Sequence, residues 1–585
     1  MKTSWNLGLL YSGHNDPAIE RDMTTIERAY STFEKKYRGK TDYLKNEAKL
    51  VRALSDFESL FEELSLTKPL SYFHYRQDLD SGDVIARSKA TQLMERFAKN
   101  DHKIVFFELS LAKVPVNLQK KFLKSKKLEH FRYYLKLIFE RAKHDLSEPE
   151  EKILGLKSIP AYQQWIMGTE KILGQTTISF QRKTLPLPEA MGKIADLPIN
   201  PRRKLHELVM KKLEILSDVA ESEINAIVTD KKINDELRGF KNPYDATILG
   251  YQNNRQSVLA LVDAVTRNFS ISHKFYALKA QLLKLPHLEY SDRAVGIGKN
   301  VKQIKFTEAI EILREVFGSL DPRFLSIMES FLAKGQIDVY PKVGKTGGAY
   351  CSGNMNTPTF VLLNYTGTFD QVMTFAHEMG HAIHTEFSKF QTPLYENYST
   401  STAEVASTLF EAFVFDAVFE KLSKKEKIIA LGKRINDDIH TIFRQIACFN
   451  FENDLHVAIR REGGMSKTKI RALMNEHMSS YLGPIVHMRE IDGNMFVSWS
   501  HIRHFFYVYS YAFGQLISRT LYARYKEDKT YLNKIKEFLS AGGSDTPENI
   551  FKSIGVDVTK PDFWEKGLKS IEKDIEKLEK LTEKV

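Results

Sequence analysis

Apolar residues return every three or four positions through long parts of the chain. Between about Thr24 and Asp145, stretches such as "IERAYSTFEKKYR" and "LVRALSDFESLFEELSLT" keep this spacing with few alternating runs. That is the period of amphipathic helices rather than of strands. Pro69, Pro115, Pro149 and Pro160 punctuate these helices and their end, since proline has no N–H for a helix interior. Prolines gather again in "LPLPEAMGKIADLPINPRRKLHE", so a boundary is expected near residues 184–202. It separates an N-terminal helical region, 1–190, from a second region, 191–585, that carries the chemistry discussed below. Helical spacing resumes in "ELVMKKLEILSDVAESEINAIV" and "SVLALVDAVTRNF". Only between about Asp338 and Tyr365 does the texture change: "IDVYPKVGKTGGAYCSGNMNTPTFVLLNY" has strand formers at both ends and Gly344, Gly347, Gly348 and Gly353 between them. A mainly α fold with one small, turn-rich β region follows. No repeat of fixed period is present.

Composition narrows the partners. Hydrophobic residues make up 42% of the 585 and charged residues 27%, enough to bury a large core and to argue against disorder on a domain scale. The net charge of +11 would suit an acidic partner, but it is spread through mixed runs such as "EKLSKKEK" and "KSIEKDIEKLEKLTEKV". With no basic block, RNP-like pattern or paired-cysteine finger, a nucleic-acid partner is not expected. Cys351 and Cys448 alone make no disulfide framework, which favours a reducing compartment. The opening "MKTSWNLGLLYSGHND" lacks the apolar core of a signal peptide, and no run approaches 18 apolar residues. A cytoplasmic location with no membrane partner is therefore expected. "GKT" at Gly344–Thr346 is no phosphate loop, because Val339 stands where the loop's first glycine belongs.

The chemistry concentrates in "TFAHEMGHAIH", residues 374–384. Thr368 and Gln371 form a plausible capping box before it, with Asp370 in the first turn. On a helix His377 and His381 share a face, and their imidazoles can bind one zinc ion at about 2.0–2.1 Å each. Glu378, one step round, can reach a water at the metal without being a ligand. Catalytic zinc takes three protein ligands, and Glu386, Glu396, Glu404 and Glu411 are the nearest downstream acids. Glu386 is rotated away from the pair and Glu396 lies in the connection "FQTPLYENY". Glu404 opens a second helical run that can pack antiparallel to the first, so it is the expected third ligand. Glu411, two turns on, is either a surface charge or the acid that holds a ligand histidine by its other nitrogen. His384 shares the histidine face as packing or support. A helical scaffold with a structural zinc is the competing class, but such sites usually take four ligands, often cysteines, and would leave Glu378 without a task.

The motifs "FAHEMGHAIH" (375–384), "STAEVAS" (401–407), "GGAYC" (347–351), "WSHIRHFFYVYSYAFGQL" (499–516) and the opening "WNLGLLY" (5–11) together resemble the M3 family of zinc metallopeptidases, and within it the oligoendopeptidase F group. The resemblance implies an elongated, two-lobed helical metallopeptidase with a deep central cleft and a small β-sheet beside the active site. It implies one zinc per chain, held by His377, His381 and Glu404, with Glu378 as general base. It also implies hydrolysis of internal bonds in short unstructured oligopeptides; an exopeptidase of the same chemistry is the nearer alternative. His501, with His504 as competitor, would stabilise the oxyanion together with a tyrosine from Tyr507, Tyr509 and Tyr511, Tyr511 being favoured. Strand-like "FVLLNY" would add substrate backbone at its edge, with Gly347, Gly348 and Gly353 allowing close approach. A monomer or weak homo-oligomer is expected.

Overall fold

A computed structural model of the chain describes residues 2–63, 66–298 and 303–583. Helices dominate it, as the spacing of apolar residues requires. Those that matter below are, in chain order, α1 (Pro17–Tyr37), α2 (Glu47–Glu63), α3 (Lys68–Leu79), α4 (Val84–Ala112), α5 (Ile199–Leu237), α6 (Phe369–Ser388), α7 (Thr400–Glu420), α8 (Arg444–Glu462) and α9 (Tyr509–Glu527). The strands are short: β1 (Thr177–Phe180), β2 (Lys183–Pro186), β3 (Leu288–Glu289), β4 (Ile337–Asp338), β5 (Tyr350–Asn354), β6 (Thr357–Leu362) and β7 (Val486–His487). No described helix is long and apolar enough to cross a membrane.

Two units emerge, each built from three separated stretches. The first comprises Met1–Lys143, Val301–Val418 and Leu521–Ile554; the second comprises His144–Asn300, Phe419–Thr520 and Gly555–Val585. The proline-rich stretch near residue 190 lies inside the second unit, where it runs from the end of the antiparallel hairpin β1–β2 into α5. Proline content reports where a helix stops locally. Which stretches pack together depends on contacts far apart in sequence.

The first unit holds a three-stranded sheet in the order β4-β6-β5, with β4 parallel and β5 antiparallel to β6. The opening residues are stitched to it. Trp5 Nε1 donates to Val361 O at 2.8 Å, its backbone N–H to Asp338 Oδ2 at 3.1 Å, and its ring packs edge-on against Phe360, Tyr75 and Tyr350. Buried Lys345, from the "GKT" stretch, pairs with Asp338 at 2.7 Å and so ties down the turn-rich loop between β4 and β5. Its task is structural.

The sheet corrects the expectation for "FVLLNY". Its first three residues, Phe360–Leu362, form the second half of β6, the central strand, with both edges taken by β4 and β5. A peptide cannot add to it; of the two outer strands, β4 is only two residues long and is followed by Val339, whose N–H donates to Thr3 O at 3.0 Å, which leaves β5 as the longer open edge among the described residues. Gly353 does not admit a foreign chain either. A Cβ there would stand 2.3 Å from Thr359 Oγ1 and 2.7 Å from Thr359 Cα, so this glycine serves the close approach of β5 to β6 at the irregularity between Ser352 and Asn354.

Candidate metal centre

The helix carrying the histidine motif starts as its sequence demands. Thr368 and Gln371 close its N-terminus as a capping box, with Asp370 in the first turn. Its C-terminal end is pinned to the sheet: Thr359 Oγ1 donates to Glu386 at 2.6 Å, and Lys389 bridges Glu386 at 2.6 Å and Thr357 O at 3.1 Å. Glu386 is thereby committed to the sheet and turned from the histidines.

α6 and α7 meet at Gly380, the glycine between the motif's glutamate and its second histidine. A Cβ at this position would lie 2.7 Å from Ser407 Cα and 3.1 Å from Ala406 O. Only a residue without a side chain lets the two helices approach this closely. Gly380→Ala must push α7 outward, and with it Glu404. A loss of about 1–3 kcal/mol of stability is expected from such overpacking, together with weaker zinc retention; thermal unfolding and a metal-competition titration read the two effects separately.

The close crossing brings three donors together. His377 Nε2 lies 3.4 Å and His381 Nε2 3.8 Å from Glu404 Oε2, and the donor atoms of the three residues lie within 4.8 Å of one another. Tetrahedral zinc bonds of about 2.0–2.1 Å set ligand atoms about 3.3–3.4 Å apart, so only small side-chain adjustments are needed. Ser407 Oγ donates to Glu404 Oε2 at 3.1 Å, orienting the same oxygen. On the far side of His377, Glu411 Oε2 stands 3.4 Å from Nδ1, where an acid fixes a ligand histidine's tautomer. Glu396 is not in this cluster.

Electrostatics follow from burial among these acids. Burial pulls His377 down, but hydrogen bonds and charge from Glu404 and Glu411 outweigh it and raise its pKa to about 10. Burial alone would raise Glu404, yet the two histidines bring it to about 2. Both shifts arise in large part from the same contact between His377 and Glu404. His381 is lowered to about 4 by burial and by His377. Glu378 is raised to about 7, mainly by burial. It is 6% exposed, and its Oε2 has no hydrogen-bond partner. A buried carboxylate oxygen left unpaired costs stability unless something else engages it, and the donor set beside it is the one that suits zinc. His384 is packing: its buried ring stacks on Tyr398 at 3.7 Å, and burial lowers its pKa to about 3.

A second group, His287, Glu289 and His487, also has donor atoms within 4.8 Å, on the β3–β7 ladder of the second unit. Its two imidazoles stack nearly parallel at 4.1 Å. A metal in the plane of one ring would lie well off the plane of the other, so their lone pairs do not converge.

The C-terminal motif lies in the second unit. His501 sits on a single 3-10 turn, Ser500–Arg503, and the Tyr507 hydroxyl hydrogen-bonds to its Nδ1. Tyr511 OH reaches Tyr507 OH at 3.5 Å. Tyr507 thus hydrogen-bonds the histidine, while Tyr511 packs its ring against it at 5.9 Å. Tyr509 is fully buried and accepts a 2.9 Å hydrogen bond from Asn253, because on α9 it faces the core opposite Tyr507 and Tyr511. His504 is exposed and packs edge-on at Tyr507. Burial and the Arg444 charge lower His501, whereas burial and Tyr511 raise Tyr507, so both are neutral near neutral pH.

This turn is held by residues that motif spacing did not single out. Buried Arg503 pairs with Glu223 of α5 at 2.7 Å and donates to the carbonyls of Phe496, Val497 and Trp499. Phe505 and Phe506 both adopt positive φ, 51° and 62°, a costly conformation for bulky residues that persists only when neighbours impose it. Thr247 Oγ1 binds Phe505 O at 2.9 Å, and Glu452 of α8 accepts the Phe506 N–H at 3.0 Å. Burial raises Glu452 to about 8. An acid whose folded pKa exceeds its unfolded value, about 4.3, contributes stability that is full below that value and lost as pH rises through 8. Glu452→Gln keeps the acceptor but removes the titration. Between pH 5 and 8 the parent's melting temperature should therefore fall relative to the variant's, a comparison that scanning calorimetry makes directly.

Comparison with known proteins gives the family and the fold. Residues 201–570 match the model of peptidase family M3, and residues 111–174 match that of oligopeptidase F. Oligopeptidase PepF of Bacillus subtilis is 24% identical, covering 100% of this chain and 88% of its own. Group B oligopeptidase PepB of Streptococcus agalactiae is 25% identical over 98% of both chains. A crystal structure from Chlamydophila abortus superposes with a TM-score of 0.87 at 23% identity, covering 99% of this chain and 98% of that one.

Proposed function

Because this chain belongs to peptidase family M3, we propose that its zinc-dependent cleavage of oligopeptides runs at His377, His381 and Glu404, with Glu378 as the general base. The single observation that carries the assignment is the unpaired, buried Glu378 oxygen beside three converging metal donors. Bound there, zinc supplies Lewis acidity and makes water acidic enough to lose a proton near neutral pH.

Glu378 takes that proton and later returns it to the departing amine. Burial raises its pKa, which favours the protonated form that it must adopt in between. Glu411 holds His377 by Nδ1 and so leaves Nε2 free for the metal. His501 and Tyr507 form a pair whose protons can stabilise a developing negative charge. Their hydrogen bond supports one tautomer: if Tyr507 donates to Nδ1, the His501 proton sits on Nε2. Substrate backbone adds to the open edge of β5, whose Cys351 lies close enough to Glu378 for its thiol to feel that charge.

End-blocked peptides separate an endopeptidase from an exopeptidase. Mass spectrometry of a mixture of blocked oligopeptides should show internal cleavage that a chelator stops and added zinc restores. Products arising only from free-ended peptides would instead establish the exopeptidase reading.

A further inference from the structure

A cavity of about 410 Å³ opens in the first unit, at the far end of β5 from Cys351. Its walls come from Tyr30 of α1, Phe61 of α2 and Phe97 of α4, with Met355 of the β5–β6 turn. Two acids join them: Asp101 of α4 and Glu396 of the segment joining α6 to α7. Among the described residues no lysine or arginine lines it.

Glu396 is 9% exposed, and its Oε1 has no hydrogen-bond partner. The nearest cation, Lys389, is already engaged by Glu386 and by Thr357 O and Thr359 Oγ1. The wall is built in place. Gly543 N donates to Tyr395 O at 2.7 Å, Tyr395 OH donates to His130 O at 2.6 Å, and a Cβ at Gly542 would stand 2.3 Å from Tyr395 O. A preformed aromatic cavity with a buried carboxylate that is held by the Met355 N–H but keeps Oε1 unpaired fits a group that is apolar along its length and positive at its tip. Lysine and arginine side chains have that form: aromatic faces take the stem or the guanidinium plane, and the carboxylates take the charge. A peptide's free amino terminus has the charge without the stem.

We propose that this cavity is a specificity pocket for a lysine or arginine side chain of the peptide substrate; the assignment rests on the peptidase reading of the metal centre. Met355 is four residues beyond Cys351, about 13 Å along a strand. A peptide added to the β5 edge would therefore carry its basic residue about four positions from the bond that is cut.

The test uses end-blocked peptides that differ at one position, three to five residues from the cut, carrying Lys, Arg, norleucine or Glu. One further peptide has a free amino terminus and no basic side chain. The parent should cleave the Lys and Arg peptides with kcat/KM at least tenfold above norleucine, mostly through KM, with Glu lowest and no comparable gain from the free terminus. Glu396→Gln and Asp101→Asn should each shrink the Lys-to-norleucine ratio to within about threefold. Asp101 is exposed, so its variant tests the pocket even if Glu396→Gln folds poorly, which thermal unfolding reveals. Cleavage of every peptide within twofold, a preference that survives both variants, or a gain that follows the free terminus would each overturn the pocket alone. Failure to cleave any of them would overturn the peptidase reading, and the pocket with it.

Discussion

Glu378→Gln retains zinc and lowers peptide hydrolysis by about 10²–10⁴-fold or more, the range for loss of a positioned acid–base group. Glutamine matches glutamate in size and hydrogen-bonding reach but cannot accept a proton from water at neutral pH. Nothing else in the cluster need move: His377, His381 and Glu404 keep their donor atoms, and Gly380 still seats α6 on α7. Binding of a blocked peptide should change little, so the loss falls on kcat. Single-turnover rates at matched zinc content make the comparison. A rate within a few-fold of the parent would remove Glu378 from the mechanism.

The second large effect is on the metal itself. Glu404→Gln should weaken zinc retention by more than about 100-fold, beyond the 10–100-fold typical of changes to a ligand's outer partners. Glu411→Gln should fall within that smaller range, since its carboxylate meets His377 Nδ1 rather than the metal position. Glu396→Gln should leave zinc in place, because Glu396 lies outside the cluster. A chromophoric chelator competed against each variant ranks the three. If Glu396 proved the damaging position, the ligand set drawn here would be wrong.

Much of the metal centre was legible because it is local. A four-residue spacing on one uninterrupted helix places His377 over His381 whatever surrounds them, and the Thr368–Gln371 box marks where that helix starts. Glu404 was reachable as well, since the chain between α6 and α7 is short and the helices that it joins must turn back on one another. What spacing could not give is the reason for their closeness. Gly380 and Ser407 are unremarkable letters until the two helices are in contact, and the clash of a Cβ with Ser407 Cα exists only in the packed state.

Strand order was lost for the same reason. "FVLLNY" reads as a strand by composition, but whether a strand is central or at an edge depends on partners elsewhere in the chain. The pairing of β6 with both β4 and β5 left the less apolar β5 as the longer open edge. The division into two units was beyond local reading too: each gathers stretches hundreds of residues apart, whereas proline content marks only the ends of elements. Among the tyrosines the helical period alone separates Tyr509 from Tyr507 and Tyr511. The buried Arg503–Glu223 pair and the Glu452 acceptor that fix this turn had no sequence signal beyond being charged residues in apolar company.

Zinc titration of the stripped protein, followed by cleavage of an end-blocked oligopeptide, tests the central claim most directly. Activity should rise linearly and break at one zinc per chain, and His381→Ala should show no rise over the same range. Full activity in the stripped protein, or an unchanged titration in His381→Ala, would contradict a catalytic zinc at His377, His381 and Glu404.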